Sequence, residues 1–197
     1  MKIFTVPSVA PITFITLDEI KVYCRITHSH EDSLLQALLI AATTACENFA
    51  RITIQQKEYK VRYAVPTISI DPLYVLATKI DNDNIESGIF LPRPPVVLVK
   101  GIVIVDKKGV ETPFTEYAYN AEQNLIRWTN KDSLFACDNK ELIVNYTAGF
   151  TNIPEEIKQA ILSTVLNLYD RDTTEYAVSK LAITLLKPYY NNPSLLS

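Results

Sequence analysis

Glycine is scarce in this chain, and its scarcity excludes the common phosphate-binding loops. The 197 residues include four glycines, Gly88, Gly101, Gly109 and Gly149. None has the spacing G-x-G-x-x-G or G-x-x-x-x-G-K-S/T, in which glycine lets the backbone approach a phosphate group closely. We therefore predict neither a nucleotide-binding enzyme nor any other bound cofactor.

Histidine is rarer still, which limits metal binding and catalysis. The two histidines, His28 and His30, lie in one predicted loop, and no G-x-S-x-G motif accompanies them. Zinc requires three or four ligands. We therefore predict no catalytic residues and no metal site. One alternative stays open, an enzyme or metal protein that uses the two histidines, with Glu31, Asp32 and Cys24 as further candidate ligands.

The cysteines show no C-x-x-C spacing, and their number, three, is odd. Cys24 and Cys46 fall on apolar faces of predicted helices, and Cys137 lies in a polar, loop-like stretch. This usage is typical of free thiols in a reducing compartment. The N-terminus lacks a signal-peptide pattern, and no apolar run approaches the ~18 residues that span a bilayer. We expect a protein made and used in the cytoplasm, or in a particle assembled there, with no membrane partner.

Charge is modest and evenly distributed. Nineteen basic and 22 acidic residues leave a net charge of −3, and the basic residues are scattered along the chain. Such scatter is not the pattern of a protein that wraps nucleic acid. Because 48% of the residues are hydrophobic and 21% are charged, a packed core can form. The length suits one domain, with or without a large insertion.

Two helices are predicted in the first quarter of the chain. Residues 1–15 contain two prolines and are interpreted as an extended arm. Thr16 and Glu19 have the T-x-x-E spacing of a capping box, which predicts a short helix over about residues 17–25. A longer amphipathic helix is predicted over about residues 31–50, where apolar side chains recur at helical spacing.

The middle of the chain changes to a strand pattern. Alternating or β-branched residues indicate a series of strands. The predicted strands cover residues 59–65, 67–70, 96–105, 117–119, 125–128 and 141–146. Asp106 to Gly109 predicts a hairpin turn, with glycine where a positive φ is needed.

Helices return near the C-terminus. Pro154, followed by two glutamates, predicts a helix start. A last helix is predicted over about residues 175–186, and Pro188 ends it. We therefore predict the α+β class, with a helical bundle formed by the N- and C-terminal helices and a central β-rich insertion. In this interpretation residues 1–197 form one domain. Its parts are the arm at 1–15, the bundle at 16–51 and 153–188, the insertion at 52–150 and a tail at 189–197.

The order of these segments is more specific than any one of them. In the N-terminal part, the informative stretches are an L-D-E-I-K-V-Y-C-R-I segment and an acidic loop followed by an alanine-rich helix. In the rest of the chain they are an L-P-R-P-P-V junction, an N-Y-T-A-G-F motif before Ile153-Pro154, and an L-L-K-P-Y segment near the C-terminus. Together they resemble the head–tail connector (head-completion adaptor) proteins of tailed bacteriophages and related gene-transfer particles. The resemblance covers nearly the whole chain. At the position of Tyr190 relatives commonly carry arginine, and at the position of Cys24 they commonly carry leucine.

The resemblance implies a structural protein of the virion, not an enzyme. Such adaptors form a ring below the portal, typically a dodecamer, at the head–tail interface. The ring extends the DNA channel, helps to retain the genome and provides the docking surface for the stopper or tail. DNA passes through it without sequence-specific binding. In relatives the portal contacts come largely from the C-terminal segment. The implied portal-binding residues are Lys187, Pro188, Tyr189, Tyr190, Leu195 and Leu196.

A second alternative for the function remains at the level of the sequence. The chain fits another head–tail interface subunit as well, such as a stopper or tail-completion protein, because these share its size and its lack of catalytic motifs. The sequence allows two roles for the side chains of Tyr189 and Tyr190. Aromatic side chains in a terminal segment are typical interface anchors, and they equally suit packing on their own domain.

Overall fold

The structure, a computed structural model, describes residues 2–5, 12–64, 79–81, 84–86, 88–122, 124–129, 141–170 and 178–190. These residues form helices and antiparallel sheets, so the predicted α+β class is confirmed. The chain divides into two compact units. We call the described residues within 9–55 and 150–192 the helical unit, and those within 1–8 and 56–149 the sheet unit. The strand predicted at 67–70 lies outside the described residues.

The helical unit contains four described α-helices. They are α1 (Leu17–Cys24), α2 (Asp32–Ala50), α3 (Glu155–Tyr169) and α4 (Lys180–Leu186), and a 3-10 turn (Lys187–Tyr189) follows α4. Both N-terminal helices agree with the predicted ranges to within one residue. Each ends at an arginine in the left-handed region, Arg25 at φ 57° and Arg51 at φ 56°.

Helix α1 begins at the predicted capping box. The Glu19 amide donates to Thr16 Oγ1 at 3.2 Å, and the Thr16 amide donates to Glu19 Oε2 at 2.6 Å. The hydrogen bond from the Thr16 backbone, followed by that from its hydroxyl, holds the pKa of Glu19 below its ordinary value. The cap thus orients α1 so that Ile20 is completely buried.

Helix α4 starts later than its apolar pattern predicts. Ser179 has an extended backbone (ψ 154°), and its hydroxyl accepts a hydrogen bond from the Ala182 amide at 3.0 Å. A side chain that caps the helix in this way fixes the first helical residue as Lys180. The part of the prediction at residues 175–177 lies outside the described residues.

The core of the helical unit draws on both ends of the chain. Helix α2 packs against α3, and small side chains at the contact let the two backbones approach closely. Cys46 Sγ lies 3.7 Å from Thr164 Oγ1 at a fully buried position. Buried residues of this core come from all four helices and from the chain just outside them: Ile15, Ile20, Leu35, Leu39, Ala42, Cys46, Ala50, Ile52, Ile54, Ile157, Ala160, Ile161, Leu162, Val165, Val178, Ala182 and Leu186.

The sheet unit contains three antiparallel sheets. Its described strands are β1 (Lys2–Thr5), β2 (Lys57–Ala64), β3 (Lys79–Asp81), β4 (Asn84–Glu86), β5 (Gly88–Phe90), β6 (Val96–Val105), β7 (Glu111–Phe114), β8 (Tyr117–Asn120), β9 (Leu125–Trp128) and β10 (Glu141–Ala148). The largest sheet has the order β1-β2-β10-β6-β7, a second has the order β5-β9-β8, and β3 pairs with β4. The five predicted strands that lie within the described residues are therefore confirmed. Strands β1, β3, β4, β5 and β7 were not predicted.

Alternate residues of the large sheet form the second core. Val144 of β10 pairs with Val61 of β2 on one side and with Ile102 of β6 on the other. Two buried tyrosines add hydrogen bonds. The Tyr63 hydroxyl donates to the Phe90 carbonyl at 3.0 Å, and the Tyr146 hydroxyl donates to the Pro92 carbonyl at 2.6 Å. Burial raises the pKa of both phenols.

The hairpin turn between β6 and β7 has the predicted glycine conformation. Gly109 adopts φ 81°, which a side chain would disfavour. The Asp106 carboxylate accepts hydrogen bonds from the amides of Lys108 at 2.8 Å and Val110 at 2.9 Å. These bonds fix the turn locally, which explains why it was predictable from the sequence.

Replacing Thr16 by alanine removes the side-chain half of the α1 cap. We expect Thr16→Ala to lower the free energy of unfolding by about 1 kcal/mol, measured by denaturant unfolding. The loss should shrink as the pH falls below 4.5, because a carboxylate with a lowered folded-state pKa stabilises the fold only while it is ionised. The control is Thr184→Ala, an exposed helical threonine, which should change stability by less than about 0.5 kcal/mol.

Replacing Tyr146 by phenylalanine leaves the carbonyl of Pro92 without its buried donor. We expect Tyr146→Phe to cost about 1–3 kcal/mol of unfolding free energy. Tyr119→Phe is the matched control, because the Tyr119 hydroxyl donates to Asn124 Oδ1 at a half-buried site. Water can replace that donor, so its loss should cost less. Equal costs for both variants would contradict the larger penalty expected at the buried Tyr146 site.

Candidate functional site

The C-terminal end of the helical unit contains four of the six predicted portal-binding residues. Lys187, Pro188 and Tyr189 form the 3-10 turn directly after α4, and Tyr190 follows it. Lys187 and Pro188 are exposed. Leu195 and Leu196 lie outside the described residues. The structure therefore presents Lys187 and Pro188 at the surface, and the two tyrosines behave differently.

Tyr189 packs against its own unit. Its ring meets the ring of Phe150 edge to face, with centroids 6.1 Å apart. Its hydroxyl donates to Glu156 Oε2 at 3.4 Å. Burial, with a smaller effect of the Glu156 charge, raises the pKa of this phenol. These contacts tie the 3-10 turn to the start of α3, so the tail predicted from residue 189 begins with an ordered residue.

Tyr190 lies against the end of α2. Its ring centroid is 6.1 Å from that of Phe49, and the guanidinium carbon of Arg51 lies 5.9 Å from the centroid of the ring. Such a cation–π contact contributes about 0.5–1 kcal/mol at an exposed site. Tyr190 remains 39% exposed, so one side of its ring is open to solvent. The sequence did not reveal these partners, because about 140 residues separate them from Tyr190.

Helix α4 itself is held by a small polar contact. Ser163 Oγ of α3 and Ser179 Oγ lie 2.7 Å apart, and Ser179 also caps α4. Together with the contacts of the two tyrosines, this contact fixes both ends of the segment that carries Lys187 and Pro188. We call residues 187–190 the C-terminal surface. In this surface the exposed Lys187 and Pro188 follow the capped helix α4 and precede two tyrosines that pack on the helical unit.

The histidine loop contains side chains that already have partners. The Tyr169 hydroxyl donates to Glu31 Oε2 at 2.6 Å, and this hydrogen bond is the main cause of the raised pKa of Tyr169. His28 Nε2 lies 3.7 Å from the same carboxylate oxygen. Asp32 forms an ion pair with Lys21 at 2.6 Å. Across the described parts of the chain, no group of three or more His, Cys, Asp or Glu side chains could hold a metal ion.

The two described cysteines differ in burial. Cys46 is completely buried in the helical core, and burial raises the pKa of its thiol to about 11. Cys24 is half-buried, and burial raises its thiol pKa as well. Both lie on helices, as the sequence indicated, and Cys137 lies outside the described residues. None of the helices within the described ranges is both long and apolar enough to cross a membrane.

The sequence belongs to a known family of virion assembly proteins. The family model for head completion proteins matches residues 13–184, a range that includes α1, α2, α3, the first five residues of α4 and the described strands from β2 to β10. The chain is therefore a member of the head completion protein family, which confirms the resemblance found in the sequence. None of the curated proteins matches the chain.

Solved structures of gene transfer agent particles contain the same fold. A chain in the neck of an empty particle, computed with C6 symmetry, has a TM-score of 0.72 and 19% identity, over 98% of this chain and 96% of that one. A chain of the virion of a native particle has a TM-score of 0.68 and 20% identity, with the same coverage. A chain in the neck of a native particle, computed with C12 symmetry, has a TM-score of 0.65 and 18% identity, over 98% of this chain and 96% of that one.

The difference in burial predicts a difference in thiol reactivity. At pH 8 a thiol with a pKa of about 11 is ionised to only about one part in a thousand, and the thiolate is the reactive form. We expect iodoacetamide to modify Cys24 in the folded protein and to leave Cys46 unmodified, measured by peptide mass spectrometry. Both should react in guanidinium chloride. Equal labelling of the two in the folded protein would contradict the burial of Cys46.

Proposed function

We propose that this chain is a head–tail adaptor, a structural protein of the virion neck that forms a ring below the portal. The observation that carries the proposal is the head completion family match, which covers residues 13–184. The similarity to chains in particle necks computed with C6 and C12 symmetry supports a cyclic arrangement. Such a ring extends the DNA channel and offers a docking surface to the stopper or tail.

In our proposal the helical unit and the sheet unit are parts of one adaptor domain. The four helices form a bundle from the two ends of the chain, and the sheet unit is an insertion in it, so that both belong to one adaptor domain. Identical copies in a ring meet through a heterologous contact that closes on itself. DNA passes through the ring without sequence-specific contacts, consistent with a net charge of −3 and scattered basic residues.

The C-terminal surface is the proposed portal-binding site. Lys187 and Pro188 are exposed, and the contacts of Tyr189 with Phe150 and of Tyr190 with Phe49 hold the surrounding backbone. A surface that is ordered before binding loses less conformational entropy when the portal docks. Many identical copies in a ring would then add avidity to a modest single contact. Leu195 and Leu196 extend the same proposed site.

The test combines this protein with the portal ring encoded in the same genome and images the mixture by negative-stain electron microscopy. We expect the full-length chain to add a ring to one end of the portal. Truncation after Lys187 should abolish that ring, because it removes Pro188, both tyrosines and the two leucines. Truncation after Tyr190 is the matched control, which keeps the described surface and removes the leucines.

Thermal unfolding of each truncated chain must show that the fold is retained. A full-length chain that adds no density to the portal would contradict the adaptor proposal and favour a stopper or tail-completion role. An added ring that survives truncation after Lys187 would leave the adaptor role in place and contradict the C-terminal surface as the docking site.

A further inference from the structure

The solvent-exposed face of α2 carries no charge. Eight residues of this helix are exposed: Ser33, Leu34, Gln36, Ala37, Ile40, Ala41, Thr44 and Asn48. The outward face of a surface helix normally carries charged side chains. Here two large apolar side chains project instead, since Leu34 is 43% and Ile40 is 59% exposed. We call these eight residues the neutral face.

The neutral face has the shape of a helix-packing surface. Ser33, Ala37, Ala41, Thr44 and Asn48 recur every three or four residues, so they lie in one line along the helix. The four smallest of them leave room for another backbone to approach closely. The line covers 16 residues, or about 24 Å of helix at 1.5 Å per residue. The face is therefore long enough to contact a complete structural element.

A groove in the same unit offers a complementary surface. It lies between α1 and α3 and has a volume of about 380 Å³. Its apolar lining includes Ile15, Val22 and Leu162, and the exposed fraction of Val22 is 79%. The charged residues that line the same groove are three acids, Asp18, Glu19 and Glu155, and one base, Lys158, whose Nζ lies 3.7 Å from Glu155 Oε2. It combines an apolar lining with an acidic edge, an arrangement typical of the centre and rim of a protein interface.

The neutral face and the groove of one copy cannot meet each other. Helix α2 turns its buried side towards α3, as the contact of Cys46 with Thr164 shows, so the neutral face points away from α3. The groove is built on α3 itself. Each copy therefore carries one exposed projecting surface and one exposed receiving surface, which is what a head-to-tail ring requires of a single chain.

We propose that the neutral face of α2 in one copy lies in the α1–α3 groove of the next copy around the ring. Ile40 and Leu34 would enter the apolar part of the groove, and the amide of Gln36 would donate to its acidic edge. Copies that each carry a charge of −3 repel one another, and an uncharged helix avoids this repulsion at an acidic groove. The inference rests on the proposed function, because it assigns the contact within that ring.

Cysteine cross-linking on assembled rings tests the contact directly. The double variant Val22→Cys/Ile40→Cys is made with Cys24→Ala and Cys137→Ser, and it is mixed with the portal and oxidised. We expect a ladder of disulfide-linked chains that extends beyond the dimer, because each copy links to two neighbours. Val22→Cys and Ile40→Cys alone should give no ladder. Val22→Cys/Leu181→Cys is the matched control, since Leu181 is 52% exposed on α4.

A charge at the proposed contact gives an independent readout. Ile40→Asp should reduce ring formation on the portal at least tenfold and leave the melting temperature nearly unchanged, because Ile40 is exposed in the isolated chain. Leu181→Asp should leave ring formation intact. Rings that form with Ile40→Asp, or that give no ladder with the paired cysteines, would overturn this contact alone. Failure of the wild-type chain to form any ring on the portal would contradict the proposed function, and this inference with it.

Discussion

The close packing of α2 on α3 is the constraint on which the rest of the helical unit depends. These helices lie more than 100 residues apart in sequence, and they meet where Cys46 and Thr164 are fully buried in contact. Small residues such as Ala42 and Ala160 are buried in this core. A larger side chain at such a contact would force off-rotamer packing. Helices α1 and α4 then complete the same core.

The sheet unit follows from a second long-range pairing. Strand β2 comes shortly after α2, and β10 comes shortly before α3, and these two strands pair along their whole length from Lys57 with Ala148 to Ala64 with Glu141. Just outside this pairing, the amide of Phe150 donates to the carbonyl of Ile54 at 3.0 Å within the helical unit. The chain therefore leaves and re-enters the helical unit at neighbouring points.

Local signals explain what the sequence could predict. The capping box at Thr16, the long apolar stripe of α2 and the Asp106–Gly109 turn depend on residues a few positions apart, and the structure agrees with all three. Short edge strands such as β1 and β7 were missed, because their pairing depends on distant partners. The sequence left open whether Tyr189 and Tyr190 pack on their own domain or serve as interface anchors. Their packing partners, Phe150 and Phe49, are distant in sequence, so local patterns could not identify them. The sequence showed only that helix α2 is rich in alanine, and it did not reveal the neutral face, because exposure is a property of the fold.

We propose that this member of the head completion family is a ring subunit of the virion neck. The most direct test of that claim is cryo-electron microscopy of the neck of the intact particle that carries this chain. The account predicts a ring of this fold between the portal and the tail, with one copy in each symmetric position. Density for the chain in another part of the particle, or a neck that lacks it, would contradict the account.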